Sequence, residues 1–188
     1  ILEMEAGGGY YTEILSRAVG SSGSIIMQNP PAFDGFNGEA VEASLANNRL
    51  PNVTFSRVNF DELNASDSSV DMVTWILGPH ELGFEPGGQN LGDPETTFAQ
   101  ISRVLKPGGV FLAIDHSAAE NSGIDAGGSL HRIVEGLVSN WAEDAGFTLV
   151  RSSELHSNEN DPLDVGVFDA SIQGKSDKFV LLYQKKNY

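Results

Sequence analysis

Ile1-Leu-Glu-Met-Glu-Ala-Gly-Gly-Gly-Tyr-Tyr-Thr-Glu13 decides how the rest of the chain is read. A short apolar strand carrying an acid runs into three glycines, and a helical pattern follows at once. Without a Cβ, glycine lets the backbone turn sharply and lets a ligand rest against it. A helix starting directly after such a turn directs its free N–H groups and the positive end of its dipole at that ligand. Open α/β sheets hold nucleotides and related cofactors in this way, at the C-terminal ends of their strands. The chain opens inside this strand, without a Met, which predicts a further segment upstream; any signal peptide would lie there.

Outward from the turn, apolar runs alternate with helical patterns, the signature of βαβ units and a parallel sheet. Strands are expected at residues 1–4, 24–28, 52–57, 69–77, 110–115, 147–155 and 178–184. Helices are expected over residues 10–19, 38–48 and 129–145, and from the Asp93-Pro94 pair to residue 105, with Asp93 as cap. Residues 83–92 and 116–128 are glycine-rich loops. Residues 158–176 are too many for a plain hairpin turn and read as a structural connection or a flap over the sheet edge. Trp75 and Trp141 read as core. With no repeat and no linker, residues 1–188 form one domain.

The 188 residues suffice for one α/β domain with a core, and 40% of them are hydrophobic. No apolar run approaches the ~20 residues of a membrane helix, so a soluble globular protein is expected. The net charge of -15 argues against nucleic acid and anionic membranes as partners. Zero cysteines exclude disulfides and thiolate chemistry from these residues.

Three stretches carry a resemblance. Glu3 through Gly9 is similar to an acid-x-Gly-x-Gly-x-Gly motif. Val53-Thr-Phe-Ser-Arg-Val-Asn-Phe-Asp-Glu-Leu63, followed by Ser69-Val-Asp-Met-Val73, is similar to a third-and-fourth-strand region, and Arg103-Val-Leu-Lys-Pro-Gly-Gly-Val110 to a turn into strand five. In this order they resemble the class I S-adenosylmethionine (SAM)-dependent methyltransferase family. Ala6-Gly-Gly-Gly-Tyr-Tyr-Thr12, Gln28-Asn-Pro-Pro31 and Phe168-Asp-Ala-Ser-Ile-Gln-Gly-Lys-Ser-Asp-Lys-Phe179 resemble, more narrowly, a group of bacterial methyltransferases. The resemblance implies an α/β, Rossmann-like methyltransferase fold. Its sheet is seven-stranded and mostly parallel, in the order 3-2-1-4-5-7-6, with the last strand antiparallel and helices on both faces. It implies SAM as cofactor and a small-molecule methyl acceptor, in a bacterial cytoplasm or periplasm. Edge pairing or helix packing would allow a homodimer, though nothing in the sequence demands one.

In such proteins the site holds nucleophile, methyl carbon and sulfur in line and gains rate from proximity and orientation. By the resemblance, Glu3 meets the cofactor ammonium, and Gly7 and Gly9 let the backbone approach. Gln28 meets the ribose, Asn59 the adenine amino group, and Phe60 packs on the ring. The chain departs from the pattern at three places. Glu5 stands where the first glycine is usual and adds a negative charge to the turn. Gln28 and Asn59 are amides where acids are usual; they keep hydrogen-bond capacity and lose two charges. These departures motivate a rival reading, a non-catalytic binding protein of the same fold.

Gly78-Pro-His-Glu81 follows strand four and faces the acceptor end, where His80 is the candidate general base and Glu81 its orienting partner. Asp115-His116 ends strand five at the same crevice, making His116 a third catalytic candidate. His131-Arg132 falls nearby, with Arg132 suited to an anionic substrate group. Imidazoles with Asp115 and Glu81 are ligand types for Zn, Fe or Mn. No tight spacing such as His-x-x-x-His supports a metal, and none is assigned. His156 reads as a surface residue.

Overall fold

Strand β1 (Leu2–Met4) is buried along its whole length and forms the middle of the sheet, between β2 (Ile25–Asn29) and β4 (Val70–Ile76). The computed structural model describes residues 1–187. Adding β3 (Val53–Arg57), β5 (Leu105–His116), β6 (Phe147–Ser153) and β7 (Lys178–Lys185) gives the order β3-β2-β1-β4-β5-β7-β6. Pairing from β3 across to β5 is parallel, and β7 runs antiparallel to both of its neighbours. This is the expected seven-stranded order. Inner parallel strands are covered on both faces, which is why β4 reads as a nearly continuous apolar run.

Helix α1 (Tyr10–Val19) begins directly after the glycine turn and packs on β2. Helix α2 (Asp34–Leu45) starts four residues earlier than the sequence pattern indicates, because the turn at Pro31–Phe33 already leads into it. Helix α3 (Pro94–Val104) is capped as expected, Asp93 Oδ1 accepting the Thr96 N–H at 2.8 Å. Trp75, Phe60, Phe98 and Phe111 fill the core beneath α3, and Trp141 packs half-buried at its margin. Among the described residues no helix is long and apolar enough to cross a membrane.

The expected helix over residues 129–145 is instead two, α4 (Ala126–Leu130) and α5 (Glu135–Asp144). The break is made by tertiary contacts that override helical periodicity. His131 turns left-handed, at φ 52°. Ile133 then pairs with Ser117, its N–H donating to His116 O and its carbonyl accepting from Ala118, both at 2.9 Å.

Arg132, between them, is fully buried. It donates to Val165 O at 2.9 Å, Ser117 O at 2.8 Å and Asp161 at 2.9 Å. Asp161 in turn accepts the backbone N–H groups of Leu163 and Asp177. Residues 158–176 are thus anchored by a buried ion pair, and the guanidinium expected to meet an anionic substrate is engaged inside the protein.

Candidate active site

The glycine turn sits at the C-terminal end of β1 and is tied to the end of β2. Gln28, with no exposed surface, accepts the Glu5 N–H at 3.0 Å through Oε1 and donates to Val58 O at 2.7 Å through Nε2. Asn29 clasps Gly7 from both sides, accepting its N–H and donating to its carbonyl, each at 2.9 Å. Both amide ends of Gln28 therefore work within the protein, where an acid would have left a buried charge facing a carbonyl. Asn29 was not singled out by the sequence; its place before Pro30-Pro31, at the end of a strand, is the signal that it closes the turn.

The three glycines do different work. A Cβ on Gly8 would lie 2.8 Å from Ala40 Cβ, and one on Gly9 would crowd Ser44 and Met27, so these two admit α2 and β2. At Gly7, φ is +56° and a Cβ would meet nothing within 4 Å. Its backbone borders open space, which is what a ligand needs. Beneath the turn Glu3 is 4% exposed and accepts the Thr12 hydroxyl at 2.5 Å. Burial raises its pKa to about 7 against the pull of that hydrogen bond. A buried carboxyl poised to ionise suits a cationic partner such as an ammonium. The residues around Gly7 thus fit the methionine end of SAM.

Asn59 is half-buried at the start of the turn Phe60–Glu62. Phe60 has no exposed face; its ring lies 4.8 Å from Trp75 in the core, and its backbone N–H donates to Leu91 O. Glu5 is left-handed at φ 49°, and its carboxyl accepts the Trp75 indole N–H at 3.2 Å. Burial first, and Glu81 second, push the Glu5 pKa well above the carboxylate range. The negative charge expected in the turn is therefore disfavoured by its surroundings.

Across the crevice, Asp115 gathers the residues that end β4 and β5. It is fully buried and accepts the backbone N–H of His80 and that of His116, both at 2.7 Å. Its carboxylate also faces His80 Nδ1 at 2.8 Å. The Nε2 side of His80 lies 3.3 Å from Glu81 Oε1 and 3.3 Å from His131 Nδ1. Burial lowers the His80 pKa, but Asp115 and Glu81 outweigh it and raise it well above its usual range, favouring the protonated ring.

The neighbouring histidines behave oppositely. Burial lowers His116 to about 4 and lowers His131 as well, so both are neutral. His116 Nδ1 lies 2.7 Å from Ser176 Oγ. His80, Glu81 and His116 are thus brought to one edge, together with His131 and Asp115. His156 bonds backbone to backbone with Lys178 and is exposed, apart from this group. A groove of about 650 Å³ also runs between α2 and the ends of β2 and β3. It shares Asn29 with the turn but contains none of the histidine cluster.

A model of the family described as "Methyltransferase domain" matches residues 33–158, more than half of the chain. A ubiquinone/menaquinone biosynthesis C-methyltransferase of Marinomonas sp. is 30% identical over 125 residues, covering 64% of this chain and 44% of that protein. One from Saccharophagus degradans is 24% identical over 124 residues, covering 65% and 45%. The chain spans less than half the length of these curated relatives. Among solved structures, a SAM-dependent methyltransferase from Aquifex aeolicus aligns with a TM-score of 0.67 at 20% identity, covering 97% of this chain and 80% of that one. The [4+2]-cyclase SpnF aligns at 0.72 and 17% identity, covering 100% and 74%. At such identities the structural likeness speaks to the fold. With the family model matched over residues 33–158, from the turn before α2 through β6, the chain belongs to the methyltransferase domain family, and its fold is that of the class I SAM-dependent methyltransferases.

Proposed function

We propose that the protein transfers a methyl group from SAM to a small-molecule acceptor bound at the histidine edge. The observation that carries this is the open space bordered by Gly7, with the poised carboxyl of Glu3 beneath it and the His80–Glu81 pair across the crevice. Glu3 holds the ammonium, the backbone at Gly7 and Gly9 lines the methionine chain, and Asn59 offers its amide to the adenine. Gln28 acts through Glu5 by fixing the turn, and Phe60 by supporting Asn59 from the core. SAM, when bound, supplies an already activated methyl group, so the protein's part is alignment. Asp115 fixes the direction of the His80 ring. His80 Nε2 faces Glu81 Oε1, and Glu81 Oε2, buried without a partner, receives the proton that the acceptor gives up. His116, neutral and held by Ser176, lines the same edge.

The acidic surface disfavours nucleic acid as the acceptor, since phosphate contacts need cationic side chains. Titration calorimetry with SAM and with S-adenosylhomocysteine tests the reading directly. Micromolar binding of both is expected; no heat at millimolar cofactor would overturn it in favour of a binding protein of the same fold.

A further inference from the structure

His80 Nε2, Glu81 Oε1 and His131 Nδ1 converge on one point, and the geometry points to a divalent-metal site there. The three ligand atoms all lie within 4.8 Å of one another, and both distances from His80 Nε2 are 3.3 Å. Four ligands placed tetrahedrally at about 2.0–2.1 Å from Zn²⁺ stand roughly 3.3 Å apart, so both separations from His80 Nε2 are those of adjacent ligands around one ion.

Hydrogen bonding leaves the point unsatisfied. The Nδ1 side of His80 is taken by Asp115, so Nε2 has one position with which to meet two polar neighbours. Glu81 is 7% exposed, and its Oε2 is buried with no partner. One cation serves all three side chains at once. Asp115 supplies the outer support that metal-binding imidazoles commonly have, a carboxylate on the second ring nitrogen that fixes tautomer and orientation.

The backbone is also held for this purpose. Leu77, just before the Gly78-Pro79-His80-Glu81 turn, and His131 both adopt left-handed conformations, at φ 59° and 52°. Non-glycine residues in this region cost energy and gather at functional sites. Helix α4 lies so close to the turn Pro79–Gly83 that a Cβ on Gly127 would strike the His80 carbonyl. Phe84 and Phe168 flank His131, with ring centroids 5.3 and 5.0 Å away, giving its half-buried ring an apolar collar. Two imidazoles and one carboxylate suit Zn²⁺ among the first-row divalent ions, and leave a fourth position for water or an acceptor oxygen. The sequence shows these residue types at one edge but no tight ligand spacing, because His131 comes from 51 residues beyond His80.

The place of the metal at the acceptor end rests on the methyltransferase reading, but its binding does not. Whole protein freed of metal by chelator and dialysis is titrated with Co²⁺, followed by visible absorption, then with Zn²⁺. One equivalent of Co²⁺ with the absorption of a four-coordinate ion, displaced by Zn²⁺, is expected. Glu81→Gln and His131→Ala are expected to weaken binding roughly 100-fold or more, and Asp115→Asn about 10- to 100-fold. His156→Ala is expected to bind as the unaltered protein does.

No absorption change at millimolar Co²⁺ and no Zn²⁺ retained through gel filtration would overturn the site. So would binding that survives in both ligand variants. The titration of the unaltered protein decides even where a variant fails to fold. SAM calorimetry on the metal-free protein reports separately: SAM binding without Co²⁺ binding removes the metal alone, and the reverse removes the cofactor alone.

Discussion

The glycine turn and the histidine cluster lie on the same sheet edge and are built in opposite ways. In the turn, neutral amides do the holding: Gln28 and Asn29 meet backbone groups of residues 5 and 7, and nothing is left over except open space beside Gly7. In the cluster, titratable side chains from the ends of β4 and β5 and from the helix break converge, and one buried carboxylate oxygen stays without a partner. The first is a shape that receives a ligand. The second is an arrangement of charge completed by a proton or a metal ion, and it depends on supports far from it in the chain.

That dependence should give the largest effect. Asp161→Ala removes the partner of a fully buried guanidinium at the break that positions His131. Breaking one side of a buried ion pair costs about 3–5 kcal/mol, and urea denaturation should show a loss of that size. A loss under about 1 kcal/mol would mean that the cluster stands without this anchor.

The turn should respond instead to pH, through Glu3. Its folded pKa of about 7 lies above the ordinary 4.5, so the folded protein prefers the protonated carboxyl. The associated stability is fully present below pH 4.5 and is lost as pH rises through 7, amounting to about 3 kcal/mol. Stability measured across that window in the natural protein, minus that of Glu3→Gln, should fall by this amount; the Gln variant keeps an acceptor for Thr12. A flat difference would show that Glu3 ionises as an exposed acid does.

Gly7 and Gly8 separate ligand from packing within three residues. Gly7→Val should weaken SAM binding about 100-fold, near 2.7 kcal/mol, because its side chain enters the open space, at a stability cost of about 1–2 kcal/mol from a branched residue at φ +56°. Gly8→Val should lose about 1–3 kcal/mol of stability, since its Cβ already meets Ala40 at 2.8 Å, and should keep its cofactor affinity. Calorimetry and thermal melts on the two variants tell them apart, and equal cofactor losses would show that the space beside Gly7 is not the binding place.

What the sequence disclosed follows the same division. The strands, the turn and the Asp93 cap were legible because each is written in contiguous residues with a fixed period or spacing, whereas the order of the strands was implied by the family resemblance. The break at residues 131–134 was not. Leu130, Ile133, Leu137 and Val138 continue a helical apolar pattern, and only the pairing of Ile133 with Ser117 interrupts it. The sequence placed His131 near the crevice, but the break that brings it within 3.3 Å of His80 has no local signal. Arg132 could be seen as a cation near the crevice, but its burial against Asp161 and two carbonyls depends on a connection whose path no local pattern specifies. The departures at Glu5 and Gln28 looked like losses of cofactor contacts, although the two residues are hydrogen-bonded to each other.

Glu5 is where the two regions touch, and it gives the smallest effect with the finest resolution. Its carboxyl reaches from the turn to Trp75, lies where a side chain on Gly78 would stand, and feels Glu81. Glu5→Gly relieves a left-handed residue, worth about 1 kcal/mol, and leaves the indole N–H of buried Trp75 without its acceptor, at a cost of about 1 kcal/mol or somewhat more. The melting temperature should therefore move little. SAM binding should tighten a few-fold, about 1 kcal/mol, because a carboxyl no longer fills the space between the turn and Gly78. If binding weakens instead, the carboxyl of Glu5 is itself a cofactor contact, and the turn would then use a side chain for recognition as the cluster does.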